Sequence, residues 1–225
     1  EQLAVTGGRQ THAAPLPAPR SGQVAEFQMF APDASIDVVL ARPDSPLTFD
    51  CGTALELSGV DMAAEVKARF RIAEGERFQI DADVSRHWII DSVETVPAQA
   101  LEDWTLRKNQ TGSGRLTIRL AKAVCPARPV EVVVQTRHHY SPLGRLLLRD
   151  DLVPIEFQGS AEGRRLVAIR AAEAYQLHSS GDERLTRVDP QHLAPSDLDL
   201  FEDPPKGFVF VDDAQASGVR VALEP

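Results

Sequence analysis

The sequence predicts an all-β protein, a large antiparallel sandwich with little helix. Three observations carry that expectation. Apolar and polar residues alternate with a period of two in at least five segments, which puts one face of each strand in a core and the other in water. Turn signals recur about every 8 to 12 residues, the spacing of sandwiches and barrels. No stretch of ten or more residues sustains a helical stripe.

The elements follow in chain order. Residues 1–22 read as a flexible tail or linker. Prolines fall at every second position, 15, 17 and 19, a composition that favours extended, polyproline-like chain. Residues 23–225 read as one sandwich domain. Ile36, Val38 and Leu40 supply an early strand, and Leu47, Phe49, Leu55 and Leu57 a second pair. Val66, Ala68, Phe70 and Ile72 alternate with Lys67, Arg69 and Arg71. Phe78, Ile80, Ala82 and Val84 alternate with Gln79, Asp81 and Asp83. The short turn Ala73-Glu74-Gly75-Glu76 between these runs predicts a β-hairpin. Helix-forming residues from Met62 to Arg71 compete with this reading. Period outweighs propensity, because a helix would scatter the apolar residues around its circumference. Further strands are expected at Trp104 and Leu106, at Leu116, Ile118 and Leu120 after the turn Thr111-Gly112-Ser113-Gly114, and at Val130, Val132 and Val134. Residues 166–169, 208–211 and 219–223 complete the set. Segments 171–178 and 182–194 hold room for a short helix or turn. Prolines 190, 195, 204 and 205 make the approach to Gly207 a long irregular connection.

Composition narrows the function classes. Of 225 residues, 43% are hydrophobic and 25% charged, ordinary globular usage that supports a sizeable core. A net charge of -9 opposes nucleic acid or an anionic membrane as partner, since both need clustered cations. No apolar run approaches the roughly 20 residues of a membrane helix, so insertion of this segment is not expected. The chain opens on Glu1 and ends on an alternating run from Val219 to Leu223, followed by Glu224-Pro225. Both ends suggest a segment excised from a longer chain.

Cys51 and Cys125 match neither a metal site nor a CxxC redox motif. A disulfide between them fits an exported domain. Two unrelated thiols fit the sequence as well, and spacing leaves both readings open. No GxSxG elbow, P-loop, GxGxxG or HExxH occurs, so no catalytic role, metal or cofactor is assigned. Asn109-Gln110-Thr111 matches a glycosylation sequon and reads as a turn.

Six residues are candidates for ligand binding: Trp88, Trp104, His87, His138, His139 and Tyr140. Exposed tryptophans stack on sugar rings. However, Trp88 lies beside Ile89-Ile90 and Trp104 is in phase with Leu106, and aromatics in such contexts more often fill cores. His138 and His139 are adjacent at a strand end and point to opposite faces, so they do not converge on one metal. Asp197 and Asp199 alternate with Leu198 and Leu200, as on the wet face of an edge strand. With Glu202, Asp203, Asp212 and Asp213 they lack the DxDxDG calcium pattern. Asp150-Asp151 reads as a turn.

One family resemblance is carried by Phe78-Gln79-Ile80-Asp81-Ala82-Asp83-Val84, Trp88-Ile89-Ile90-Asp91-Ser92-Val93-Glu94, Trp104-Thr105-Leu106 and Leu116-Thr117-Ile118-Arg119-Leu120. This order of motifs, over residues 60–215, resembles very large exported proteins of planctomycete-type bacteria. The resemblance implies export, hence an extracytoplasmic location, and a sandwich scaffold. It supplies no active-site residues. The expected function is a non-catalytic structural or interaction module of a large exported or cell-envelope protein. The alternative is a carbohydrate-binding module, or a sandwich associated with mutarotases or glycosidases. The expected partners are a glycan or neighbouring domains of the same chain.

Overall fold

The computed structural model describes residues 2–6, 8–10, 27–29, 35–39 and 46–224, apart from 111, 145, 160–162, 173, 182–186, 206 and 213–218. The chain forms two compact units, Glu1–Asp44 and Ser45–Pro225. In the first, β1 (Gln2–Thr6) pairs antiparallel with β4 (Ser35–Val39), and β2 (Gly8–Gln10) with β3 (Phe27–Met29). β4 is the early strand expected at Ile36. β1 and β2 lie within the stretch read as a linker, whose proline-rich part, residues 11–22, falls outside the described residues.

The second unit is a sandwich. Its larger sheet has seven strands. β5 (Leu47–Leu57) pairs with β6 (Met62–Ile72), which pairs with β11 (Val130–His138), which pairs with β8 (Ile89–Val96). On the other side of β5 lie β14 (Arg165–Ala171), β17 (Phe208–Val211) and β16 (Arg187–Val188). The second sheet has the order β13 (Ile155–Phe157), β7 (Arg77–Val84), β10 (Gly114–Val124), β9 (Leu101–Lys108). A third sheet joins β12 (Leu146–Leu147), β18 (Val219–Glu224) and β15 (Gln176–Gly181). Short helices α1 (Arg149–Leu152) and α2 (Pro195–Leu198) interrupt the connections.

The alternation places the core as expected. Val66, Ala68 and Phe70 on β6 and Val130, Val132 and Val134 on β11 are fully buried. They belong to the same core as Ile80 and Ala82 of β7 and Leu116 and Ile118 of β10. Three rings fasten the two sheets together. Phe157 of β13 meets Phe70 of β6 edge-on at 5.0 Å and Phe49 of β5 at 5.9 Å. Such pairs contribute about 0.5–1.5 kcal/mol beyond their buried area.

Several expectations about pairing need correction. The runs on either side of Ala73–Glu76 do not form a hairpin. β6 and β7 join different sheets, so the turn carries the chain across the core. The turn at 109–113 does close a hairpin, with Gly114 opposite Lys108 and the Asn109 amide donating to the Ser113 carbonyl at 2.8 Å. Leu47 through Leu57 form one long strand rather than a pair. The sheet is also not wholly antiparallel, because β14 runs parallel to β5, with Ala168 opposite Ala54.

Residues 189–205 pack on the outer face of the larger sheet. Leu193, Leu200 and Phe201 are buried there with Leu166, Ala168 and Val209. Gly52 permits the approach: a Cβ at this position would overlap the Leu200 carbonyl oxygen and lie 2.8 Å from the Leu200 Cβ. Asp197 is correspondingly buried and ion-paired to Arg164. The expectation that Asp197 and Asp199 lie on the wet face of an edge strand is therefore corrected. Pro195 opens a helical turn, and that turn directs Asp197 inward.

Candidate functional site

Four of the six candidate residues converge at one end of the sandwich. The turn from β7 to β8 is closed by the Trp88 amide donating to the Ser85 carbonyl at 3.3 Å. It holds His87 at φ 72°. This left-handed backbone is unusual for a residue with a side chain. The turn sends Trp88 into the core, fully buried, while His87 stays exposed. His138 closes β11 on its inner face and is 3% exposed, whereas His139, the next residue, faces solvent. The alternation that predicted opposite directions for the two histidines is borne out.

His138 lies at the centre of the ring cluster. Trp88, His87 and Tyr140 approach it at 5.4, 5.8 and 5.2 Å, all edge-on, and His87 meets Tyr140 at 5.0 Å. The His138 Nδ1 accepts the Tyr140 amide at 3.2 Å. The Trp88 Nε1 is buried without a hydrogen-bond partner among the described residues.

His87, His138 and Tyr140 border a recess of about 350 Å³, completed by Met62, Ser141, Leu147 and Asp151. The Ser141 hydroxyl donates to the Gly59 carbonyl and accepts the Leu143 amide at 3.2 Å. Asp151 occupies the third position of α1, where its Oδ2 accepts the Leu148 amide at 3.0 Å. Asp151 and Ser141 were missed as site residues. Asp151 looked like a turn residue, and only the return of α1 to the end of β11 brings it to the rings.

The remaining candidates are placed elsewhere. Trp104, on β9, is half-buried against the core and lies away from the recess. Trp88 is unavailable for stacking on a ligand because no part of it reaches solvent. Cys51 and Cys125 are both free thiols, so the considered bridge is absent. Cys51 lies in β5 of the larger sheet, whereas Cys125 follows β10 of the smaller one in a tight turn with Arg128. Burial, reinforced by the Asp212 carboxylate, pushes the Cys51 thiol up to about 12. A thiol held protonated in this way is a poor nucleophile.

A second recess, of about 210 Å³, lies on the outer face between β5, β6 and residues 201–205. It is strongly acidic. Glu56, Glu65, Glu202 and Asp203 line it together with Arg170. Gln135 donates to Glu65 at 2.6 Å, and Arg170 pairs with Glu56 at 2.6 Å. Burial, and then the nearby Glu202 carboxyl, raise the Glu65 pKa against the opposing Gln135 hydrogen bond. Among the described residues no group of three or more His, Cys, Asp or Glu is arranged to hold a metal. No described helix is long and apolar enough to cross a membrane.

No family model and no curated protein matches the chain. Among solved structures it is similar to the M1 zinc metallopeptidase from Deinococcus radiodurans, with 11% identity and a TM-score of 0.45 over 79% of this chain and 42% of that one. It is also similar to leukotriene A4 hydrolase from Saccharomyces cerevisiae, with 10% identity and a TM-score of 0.48 over 79% of this chain and 29% of that one. The chain thus spans less than half the length of either protein, and no activity transfers from likenesses of this size.

Proposed function

We propose that this chain is a non-catalytic interaction module of a larger exported or cell-envelope protein, and that the recess at His87, His138 and Tyr140 is its contact site. One observation carries the reading: the His87 imidazole, from the β7–β8 turn, meets the His138 imidazole and the Tyr140 phenol, from the end of β11, at one open recess at the end of the sandwich. Concave sites with aromatic walls and a few oriented polar groups are typical of ligand binding. The polar groups here hold the walls in place. The Ser141 hydroxyl is bonded to Gly59 and Leu143, and the His138 Nδ1 to the Tyr140 amide. Export and envelope location rest on the family resemblance. The carbohydrate reading keeps His87 and Tyr140 as exposed rings and loses Trp88, its strongest stacking group.

The test is a peptide and glycan array probed with the chain and with a His87→Ala/Tyr140→Ala double variant. A partner retained by the parent and lost by the variant, with unchanged thermal melting, is the expected outcome. A hydrolytic or transfer activity abolished by His87→Ala would overturn the non-catalytic reading.

A further inference from the structure

We infer that the recess binds an organic cation, the alkylammonium or guanidinium end of a basic ligand. This inference rests on the recess being the contact site. Its charge supports the assignment first. Among the described lining residues Asp151 is the one acid, and no lysine or arginine lines the walls. Arg86, the neighbour of His87, is not among the lining residues, while Arg137 pairs with Asp91 at 3.0 Å, and Arg149 with Asp212 at 3.1 Å and Glu156 at 3.3 Å. An anionic ligand would therefore meet the Asp151 carboxylate with no cation among the described lining residues. The chain's net charge of -9 acts in the same direction, raising the local concentration of cations.

The free valences agree. Asp151 uses Oδ2 on the Leu148 amide, and its Oδ1 makes no hydrogen bond among the described residues. A charge-assisted bond from an ammonium or guanidinium needs such an acceptor. The exposed rings supply the rest. The electron-rich face of a phenol attracts a cation that approaches within about 6 Å of its centroid. A pyranose would instead require several directional partners for its hydroxyls. The Ser141 hydroxyl and the His138 Nδ1 are already committed to backbone groups.

His87 adds an independent observation. Its φ of 72° is the conformation in which glycine is at ease and histidine is not. An exposed turn gains nothing in folding from a histidine there. The residue brings one ring against Tyr140 at the mouth of the recess, which is where strained backbone is retained for function.

The experiment titrates the isotope-labelled chain by NMR with N-acetyl-arginine amide, its neutral isostere N-acetyl-citrulline amide, agmatine and methyl glucopyranoside. Saturable shifts at residues 86–88, 138–141 and 150–152 are expected with the two cations and with neither neutral probe, up to about 50 mM. Tighter binding of the arginine amide than of agmatine would indicate a basic side chain on a partner chain, and the reverse a free amine. Asp151→Asn keeps the acceptor for the Leu148 amide and should weaken cation binding by about tenfold. His87→Gly should melt at the same or a higher temperature while binding more weakly. That split separates a ligand contact from a structural part. Equal binding of the citrulline amide, unweakened binding in Asp151→Asn, or no shifts with either cation would overturn the cation assignment. Sugar-induced shifts at the same residues would also overturn it, yet would leave the interaction module standing.

Discussion

On the outer face, beneath residues 201–205, four carboxylates line a recess with one guanidinium. At the His87 end a single carboxylate faces three rings. In the acidic recess two of the four carboxylates are held by protein donors, Glu56 by Arg170 and Glu65 by Gln135, and Glu65 lies against Glu202. A ligand reaching Glu56 or Glu65 would have to displace bonds already made. In the aromatic recess the polar groups are spent on the backbone that shapes the walls, and one carboxylate oxygen remains. Charge density alone therefore does not identify the better binding site. What separates the two recesses is how much of each group's bonding capacity the fold has used, and this is why their predicted responses to mutation differ.

The largest effect is expected at Trp88, which supports the aromatic recess from behind. Trp88→Ala removes a fully buried indole that packs on His138 and should destabilise by about 3–5 kcal/mol. The lower end is favoured because the unbonded Nε1 no longer has to be desolvated. Urea denaturation measures the loss. Trp88→Phe, which deletes that N–H and keeps a ring, should cost under about 1.5 kcal/mol. Equal losses for the two variants would show that a retained ring adds nothing to the packing against His138.

Next comes Gly52, the corresponding support of the acidic recess. Gly52→Ala drives a methyl group into the Leu200 backbone and should cost about 1–3 kcal/mol, as overpacking does. Amide exchange should accelerate at residues 193–201 while the protons around His138 keep their protection. If exchange accelerates equally at both ends, the two recesses belong to one cooperative unit and the comparison fails.

The strands were legible in the sequence because alternation reports which face is buried, and burial is what the core enforces. Their partners were less so. The sequence signals turns at 73–76, expected to close a hairpin, and at 111–114, yet the first crosses between sheets and it is the second that lies in a hairpin, between β9 and β10. Strand phase is local, whereas partnership is settled by how the whole sandwich closes. The same limit governs the site. The opposite directions of His138 and His139 followed from strand alternation, but the meeting of His138 with His87 depends on β8 and β11 being neighbours. Asp197 was misplaced because Leu198 and Leu200 imitate strand alternation. Pro195, a favoured first residue of a helix, was the available signal against a strand.

The smallest effect is a pH dependence that distinguishes the acidic recess. The Glu65 carboxyl titrates above its ordinary 4.5 because it is partly buried and faces Glu202. The folded state therefore holds this proton more tightly than the unfolded chain. The stability it contributes is complete below about pH 4.5 and is lost as pH rises through the raised folded value. Asp81 behaves oppositely. Burial would raise it, but hydrogen bonds from Gln79 and Thr117 and the Arg115 charge outweigh burial and hold it below 3.8. Its contribution is present above that pH and is lost as pH falls through the lowered value. Glu65→Gln should thus raise stability at neutral pH while leaving the acid limb unchanged. Solvent screening of this half-exposed group keeps the gain below about 1 kcal/mol. Urea midpoints of parent and variant, compared from mildly acidic to neutral pH, measure it. A constant offset at every pH would mean that Glu65 acts through packing and not through its proton.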